Sequence, residues 1–307
     1  MASEAPDGDA SSMTLRPALR PGAVLLRRDA HHLQIGTSPG FVFRDQPGLF
    51  SVIRLFDGVR DIDRIGQVAS AGIPEFRGDV GEVAQQLMAA GLVFDARWWD
   101  IPADERLRRE ARSASLAGGS PVRVTERSRF GIELQSDEAC ADLTAIAAGI
   151  LDRSGFDVPC PDEPHLTIVL SHGEPQRRRF EAAMESGLNH LRVVVEEDRV
   201  RLGPLVRPGL TPCINCHDLH RTDWDRAWPA LMTQFGKPAG PVSAPALSAT
   251  AIFAAATAIA AEAIALCEES TAETTGHCLV IGPHYLDRSL WPVSFHPSCS
   301  CTLLIAA

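Results

Sequence analysis

The chain has 307 residues, 45% of them hydrophobic and 22% charged, and a net charge of -10 from 39 acidic and 29 basic side chains. That length and mixture suit a globular protein of two ordinary domains. The acidic balance excludes nucleic acid as the default partner, because a phosphate backbone is held by a basic footprint.

Residues 1–14 are small and acidic with no apolar run, so they read as a disordered tail and not as a secretory signal. The eight cysteines then point to a reducing, cytoplasmic setting, where clustered thiols serve as metal ligands rather than disulfides.

Residues 15–96 read as one small α+β unit. Ala23–Arg28 and His32–Ile35 are short extended runs, with His31 and His32 in a solvated turn. Phe41–Arg44 is a third strand after the turn signal at Gly36–Gly40. Leu49, Val52, Ile53 and Phe56 share one helical face, closed by Gly58. Asp61 is placed to cap a second helix, and Gly72 and Pro74 stop it. Asp79 is placed to cap a third, with Val80, Val83, Ala84, Leu87 and Met88 on one side. Gly91–Phe94 closes the unit as a strand. Short strands followed by three helices resemble a winged-helix arrangement.

Residues 97–120 change character. Arg97–Arg112 is charged and 113–120 is rich in Gly and Ser, the composition of a flexible linker. Trp98 and Trp99 are expected to pack.

The remainder, 121–307, alternates strand and helix. Val122–Thr125 and Phe130–Leu134 are strand candidates, and Ser136 is the expected cap of a helix through Leu143, Ala147 and Ile150. Leu166–Leu170 reads as a strand buried on both faces. Glu174–Gly187 reads as a helix with Arg177, Arg178 and Arg179 on a wet face. Leu191–Val195 and Arg199–Leu202 form a hairpin-like pair. Strand, helix, strand at this spacing predicts an α/β sheet with crossover connections. Residues 246–267 approach the length of a membrane span, but they are dominated by Ala, contain Glu262 and lack basic flanks. They read as a helix buried against a sheet. Cys278–Ile281 is a further strand.

Two close thiol pairs stand far apart, Cys213-x-x-Cys216 and Cys299-x-Cys301. Structural zinc takes four tetrahedral ligands, often all thiolates in such pairs, so Cys213, Cys216, Cys299 and Cys301 read as one zinc site. Four protein ligands close the site, giving it a structural role worth on the order of 10 kcal/mol of folding free energy. The competing reading is a redox Cys-x-x-Cys, which opens a helix after a strand; here Pro212 and an irregular stretch precede the pair. His217, His220 and His296 lie beside the thiols, either as a substitute ligand or as packing around the knuckle. Cys140, Cys160, Cys267 and Cys278 are isolated and read as buried or neutral.

A nucleotide-binding α/β domain would carry a glycine loop whose amides cradle phosphate after the first strand. Val122–Gln135 with its flanks offers Gly131 alone, and no Walker loop, G-x-S-x-G or H-E-x-x-H occurs. ATP is therefore not an expected cofactor.

Gly203-Pro204-Leu205-Val206, Pro208-Gly209, Cys213-x-x-Cys216, Leu219-His220-Arg221-x-Asp223 and Ala227-Trp228-Pro229, with His296-Pro297-x-Cys299-x-Cys301, form a recognisable set. Over about 120–307 the chain resembles the ThiF-like, cyclodehydratase-associated, leader-peptide-binding proteins of thiazole/oxazole (TOMM) RiPP biosynthesis. Residues 15–96 are similar in layout to the PqqD-like recognition element of that family. The resemblance implies a ThiF-like Rossmann-type domain with structural zinc, preceded by a winged-helix domain. It implies that a precursor leader peptide adds as a strand between Phe41–Arg44 and the helix at Asp79–Ala90, against Phe41, Val42, Phe43, Val83 and Leu87. It implies a non-catalytic scaffold in the cytoplasm, a homodimer, serving a YcaO-type enzyme on a separate chain, without nucleic acid or membrane. The alternative is an adenylyltransferase of the ThiF class that activates a peptide or protein C-terminus with ATP.

Overall fold

The computed structural model describes residues 14–37, 40–100, 102, 104–117, 121–160, 163–235, 245–284 and 286–301. The expected tail at 1–14 lies outside them except for Thr14. The chain divides into two compact units, Met1–Val122 and Arg123–Ala307.

The first unit begins with β1 (Pro17–Leu19), then β2 (Leu25–Arg27), β3 (His32–Ile35) and β4 (Phe41–Arg44). The last three form an antiparallel sheet in the order β2-β3-β4, so β4 is an edge. Helices α1 (Leu49–Ile53), α2 (Ile62–Gly72) and α3 (Val80–Ala89) follow. Asp61 and Asp79 cap α2 and α3, their carboxylates accepting from Arg64 N–H and Glu82 N–H. Strand β5 (Val93–Asp95) returns to pair antiparallel with β1. Leu33, Ile35, Val52, Ile53, Ile65 and Ala84 form the core of this unit.

The expected flexible linker at 97–120 is corrected by two helices, α4 (Arg97–Asp100) and α5 (Glu105–Leu116). Asp104 caps α5 and accepts from Arg106 N–H, while Leu107, Ala111 and Ser115 make a buried stripe. Helical periodicity outweighs the Ser-rich composition. Trp99 is buried and donates its indole N–H to Ser115; Trp98 is exposed. Residues 118–120 lie outside the described residues. The expected strand at Val122–Thr125 is corrected as well, since α6 (Pro121–Val124) is helical.

The second unit is a mixed α/β layer structure. Strand β6 (Ile132–Ser136) leads through a 3-10 turn into α7 (Ala141–Arg153). Ser136 does not cap that helix: its hydroxyl donates to Asp137 O, and Cys140 occupies the cap position without a side-chain bond. Then come β7 (Leu166–His172), α8 (Arg178–Glu185), β8 (Asn189–Glu196), β9 (Arg199–Val206), α9 (Ile214–Trp224), α10 (Trp228–Phe235), α11 (Ala249–Cys267), β10 (His277–Ile281) and β11 (Arg288–Pro292). The sheet runs β6-β7-β8-β9-β10-β11. β6, β7 and β8 are parallel, and every later pairing is antiparallel.

Strand alternation divides the two faces. Leu166, Ile168 and Leu170 of β7 and Leu191, Val193 and Val195 of β8 pack with α7 and α11. α11 is the one helix among the described residues long and apolar enough to cross a membrane. Its Ala255, Ala256, Ile259, Ala260 and Ala263 are instead core, their small side chains allowing close approach to the sheet. Glu262 on α11 is buried and accepts from the Glu273 and Thr274 N–H groups and the Thr274 hydroxyl, which tie the helix to the turn before β10. The opposite face carries Val169, Val206, Phe180 of α8 and the cysteines around α9.

Gly203 interrupts β9 where the β8–β9 register shifts between Leu191 and Val193. It has φ +98, and an added Cβ would lie 2.5 Å from His277 O, so only glycine fits.

Candidate metal centre

Beyond β9, Arg207 N–H donates to the Thr211 hydroxyl at 2.8 Å and turns the chain toward α9. Cys213 occupies the N-cap of α9 with extended backbone, and Cys216 follows one turn later. A helix thus opens at this pair, after the irregular stretch and Pro212 that the sequence places before it. The turn at Arg207–Thr211 delivers the chain directly into α9.

What distinguishes the site from a two-thiol redox motif is the tail. Cys299 and Cys301 come to the same place, and all four sulfurs lie within 4.8 Å of one another. The Cys213–Cys216 separation is 3.9 Å, Cys213–Cys299 is 3.6 Å and Cys216–Cys301 is 3.4 Å. A tetrahedral ion with metal–sulfur bonds of about 2.3 Å requires sulfurs about 3.8 Å apart. All four thiols are buried. Their arrangement could hold a metal ion, and four protein ligands would leave no open position for a reacting water.

Polar donors support the sulfurs. Asn215 Nδ2 donates to Cys299 Sγ at 3.2 Å, and His296 N–H donates to Cys216 Sγ at 3.4 Å. Burial works to raise the Cys299 thiol, but the Cys301 N–H and the Asn215 amide outweigh it and bring it down to about 7. Burial and the neighbouring thiols push Cys301 up to about 12.

Of the three neighbouring histidines, none joins the thiols. His296 Nδ1 accepts from Ser298 N–H at 3.1 Å, and its Nε2 lies 2.9 Å from Asp223 Oδ2. Satisfying both contacts places the ring proton on Nε2, which leaves no lone pair for an ion between His220, Asp223 and His296. His220 bonds to Ser294 O.

His217 belongs to a buried charged layer beneath α9. Arg192 is fully buried and reaches Glu174 at 3.2 Å, Gly203 O at 3.0 Å and His217 Nδ1 at 3.4 Å. Arg201 also bonds to Glu174. Arg177 bridges Glu174 and Asp218, and Trp228 donates its indole N–H to Asp218 at 3.1 Å. The expected wet face at Arg177 is therefore corrected, because two carboxylates hold its guanidinium in this layer. Burial alone would raise Glu174, but Arg192, Arg201 and Arg177 hold it well below the usual carboxylate range. Burial and then Arg192 bring His217 down to about 3, so it is neutral. The lone Arg192 inside an apolar strand is the sequence signal that could have revealed this layer.

Three of the isolated thiols, Cys140, Cys267 and Cys278, are kept protonated by burial. Burial pushes Cys140 up to about 11 and Cys267 up to about 12, and raises Cys278; Cys160 is half-buried.

In the first unit, Phe41 and Val42 on the β4 edge are exposed, at 44% and 41%. Phe43 and Val83 are partly buried against the core of that unit, and Leu87 is buried within it. The outer edge of β4 pairs with no other strand among the described residues.

No family model matches the chain, and no curated protein matches it. Solved structures share its fold. A heterocyclase in complex with substrate and cofactor is 20% identical over 94% of this chain, with a TM-score of 0.65, and the heterocyclase TruD is 19% identical with a TM-score of 0.67. The chain spans 39% and 43% of those two proteins, about two fifths of their length. Escherichia coli MccB, solved with succinimide, is 13% identical at a TM-score of 0.59, covering 93% of this chain and 98% of MccB.

Proposed function

We propose that the chain is a non-catalytic, metal-stabilised scaffold that binds a ribosomal precursor peptide and presents it to a separate heterocycle-forming enzyme of the YcaO type. The carrying observation is the fold likeness across 94% of this chain to a heterocyclase solved with its substrate. The first unit is then a winged-helix, PqqD-like recognition element at 15–96, and 121–307 is a ThiF-like Rossmann-type domain with zinc as its ion. The free β4 edge with exposed Phe41 and Val42 suits strand addition, where backbone bonds give affinity and side-chain pockets give specificity. The reduced thiols fit a cytoplasmic protein, and a homodimer is the expected assembly.

A second reading, an ATP-dependent adenylyltransferase, is favoured by the match to MccB, also solved with ATP, over 99% of that chain. The turn after β6 argues against it. Ser136 and Asp137 stand there instead of glycine amides, and Asp137 accepts from Arg179 and from His172 N–H.

Two measurements decide. Candidate precursor peptides are titrated against the chain by fluorescence anisotropy, and ATP–pyrophosphate exchange is measured with the same peptides. Saturable binding without exchange is expected. Robust exchange by this chain alone would refute the scaffold reading, and absence of any saturable binding would refute the peptide role.

A further inference from the structure

On the sheet face opposite α7 and α11, β9, β10 and β11 extend past the cover of α9 and leave a cleft of about 450 Å³. Arg199 and Arg201 of β9, Arg221 and Trp224 of α9 and Trp291 of β11 contribute to its lining. None of the four clustered thiols lines it, nor does any residue of β6 or β7.

Its charge is unevenly satisfied. The one carboxylate in the lining, Glu196, is bonded to Arg201 at 2.7 Å, and Glu174 completes the neutralisation of Arg201. Among the described residues Arg199 pairs only with the exposed Asp198 beside it in sequence. Arg221 makes no side-chain hydrogen bond or ion pair among the described residues, and its Nε is sealed from water without an acceptor. Its guanidinium is held instead by ring faces, 4.4 Å from the Trp228 centroid and 5.4 Å from that of Trp224. A guanidinium held this way keeps its N–H edges for a planar anion. Trp224 and Trp291 are 75% and 55% exposed, two indoles offered from different elements to one cleft. A concave, largely apolar lining with a few convergent donors is the makeup of a small-ligand site.

We propose that this cleft binds a small planar anion, an aromatic ring bearing a carboxylate or a phosphate. Arg221 holds the anionic group, and Trp224 and Trp291 pack the ring. The inference stands apart from the peptide reading and uses none of its residues.

The test titrates the full metal-loaded chain by calorimetry with indole-3-acetate, with AMP, and with their uncharged counterparts indole and adenosine. One of the anions is expected to bind saturably, at least tenfold more tightly than its counterpart. Arg221→Gln and Trp291→Ala should each weaken it at least tenfold. Binding of indole-3-acetate alone assigns a carboxylate, and binding of AMP alone a phosphate. Metal content and circular dichroism report whether Arg221→Gln folds; if it does not, the exposed Trp291→Ala variant decides. The proposal is overturned if neither anion binds, if the uncharged counterparts bind equally well, or if the folded variants bind as the parent does. A dimer seen by sedimentation that Trp291→Ala dissolves would also overturn it, since a second copy would then cover the cleft.

Discussion

The Sγ atoms of Cys216 and Cys301 lie 3.4 Å apart although 85 residues separate them in the chain. That closeness is the basis of the first prediction. Elemental analysis of the purified chain should find one zinc ion per chain. Cys216→Ser or Cys301→Ser should abolish it and lower the melting temperature of the second unit sharply, since a structural zinc contributes on the order of 10 kcal/mol. A metal-free variant that melts like the parent would show that the fold does not depend on the ion.

Asn215 is predicted to tune the centre without ligating it. Removing its N–H donor to Cys299 by Asn215→Ala should weaken metal binding by about 10- to 100-fold, the usual range for such supporting contacts. Competition with a chromophoric chelator measures this. Equal affinity in both proteins would mean that the amide has no such role.

Glu174→Gln should destabilise the second unit by about 3–5 kcal/mol, because it leaves buried guanidinium groups without their counter-charge. The pH dependence has a definite sign. The folded carboxyl sits below its unfolded value of 4.5, so its contribution is complete above that pH and is lost as pH falls below it. Urea denaturation between pH 6 and pH 3 (about the range that matters) should therefore show a shallower acid loss in Glu174→Gln than in the parent.

Gly203→Ala should cost on the order of 3 kcal/mol, from a left-handed backbone and a Cβ driven into His277 O. Thermal melting measures it. A loss below about 0.5 kcal/mol, the size of an ordinary surface change, would mean that β9 and β10 part easily.

Val42→Pro should remove binding of any peptide that adds to the β4 edge while leaving the metal content unchanged. Proline supplies no N–H and obstructs a new ladder. Anisotropy titration reads the loss, and undiminished affinity would direct attention to another surface.

Much of this was legible from local chemistry. The caps at Asp61 and Asp79 and the short apolar runs within β7 and β8 are decided within a few residues. What escaped needed distant partners. β1 has three residues and acquires meaning only against β5. β11 is exposed along its whole length, so no alternation marks it. In α5, a stripe of Leu107, Ala111 and Ser115 was masked by linker-like composition. The four thiols were readable as paired spacings, but their charged floor was not. Glu174, Arg192, Arg201 and Asp218 come from separate segments, and only the folded sheet brings them together.

The distance along the chain between the two thiol pairs also sets an order of events during synthesis. At about 5–20 residues per second, the 85 residues from Cys216 to Cys301 take roughly 4–17 s to translate. Throughout that interval the first pair has emerged without the second. Two sulfurs hold an ion far less firmly than four, so a prematurely captured metal can still exchange. A metal held there would therefore gain its full set of four ligands only after β10 and β11 have been made.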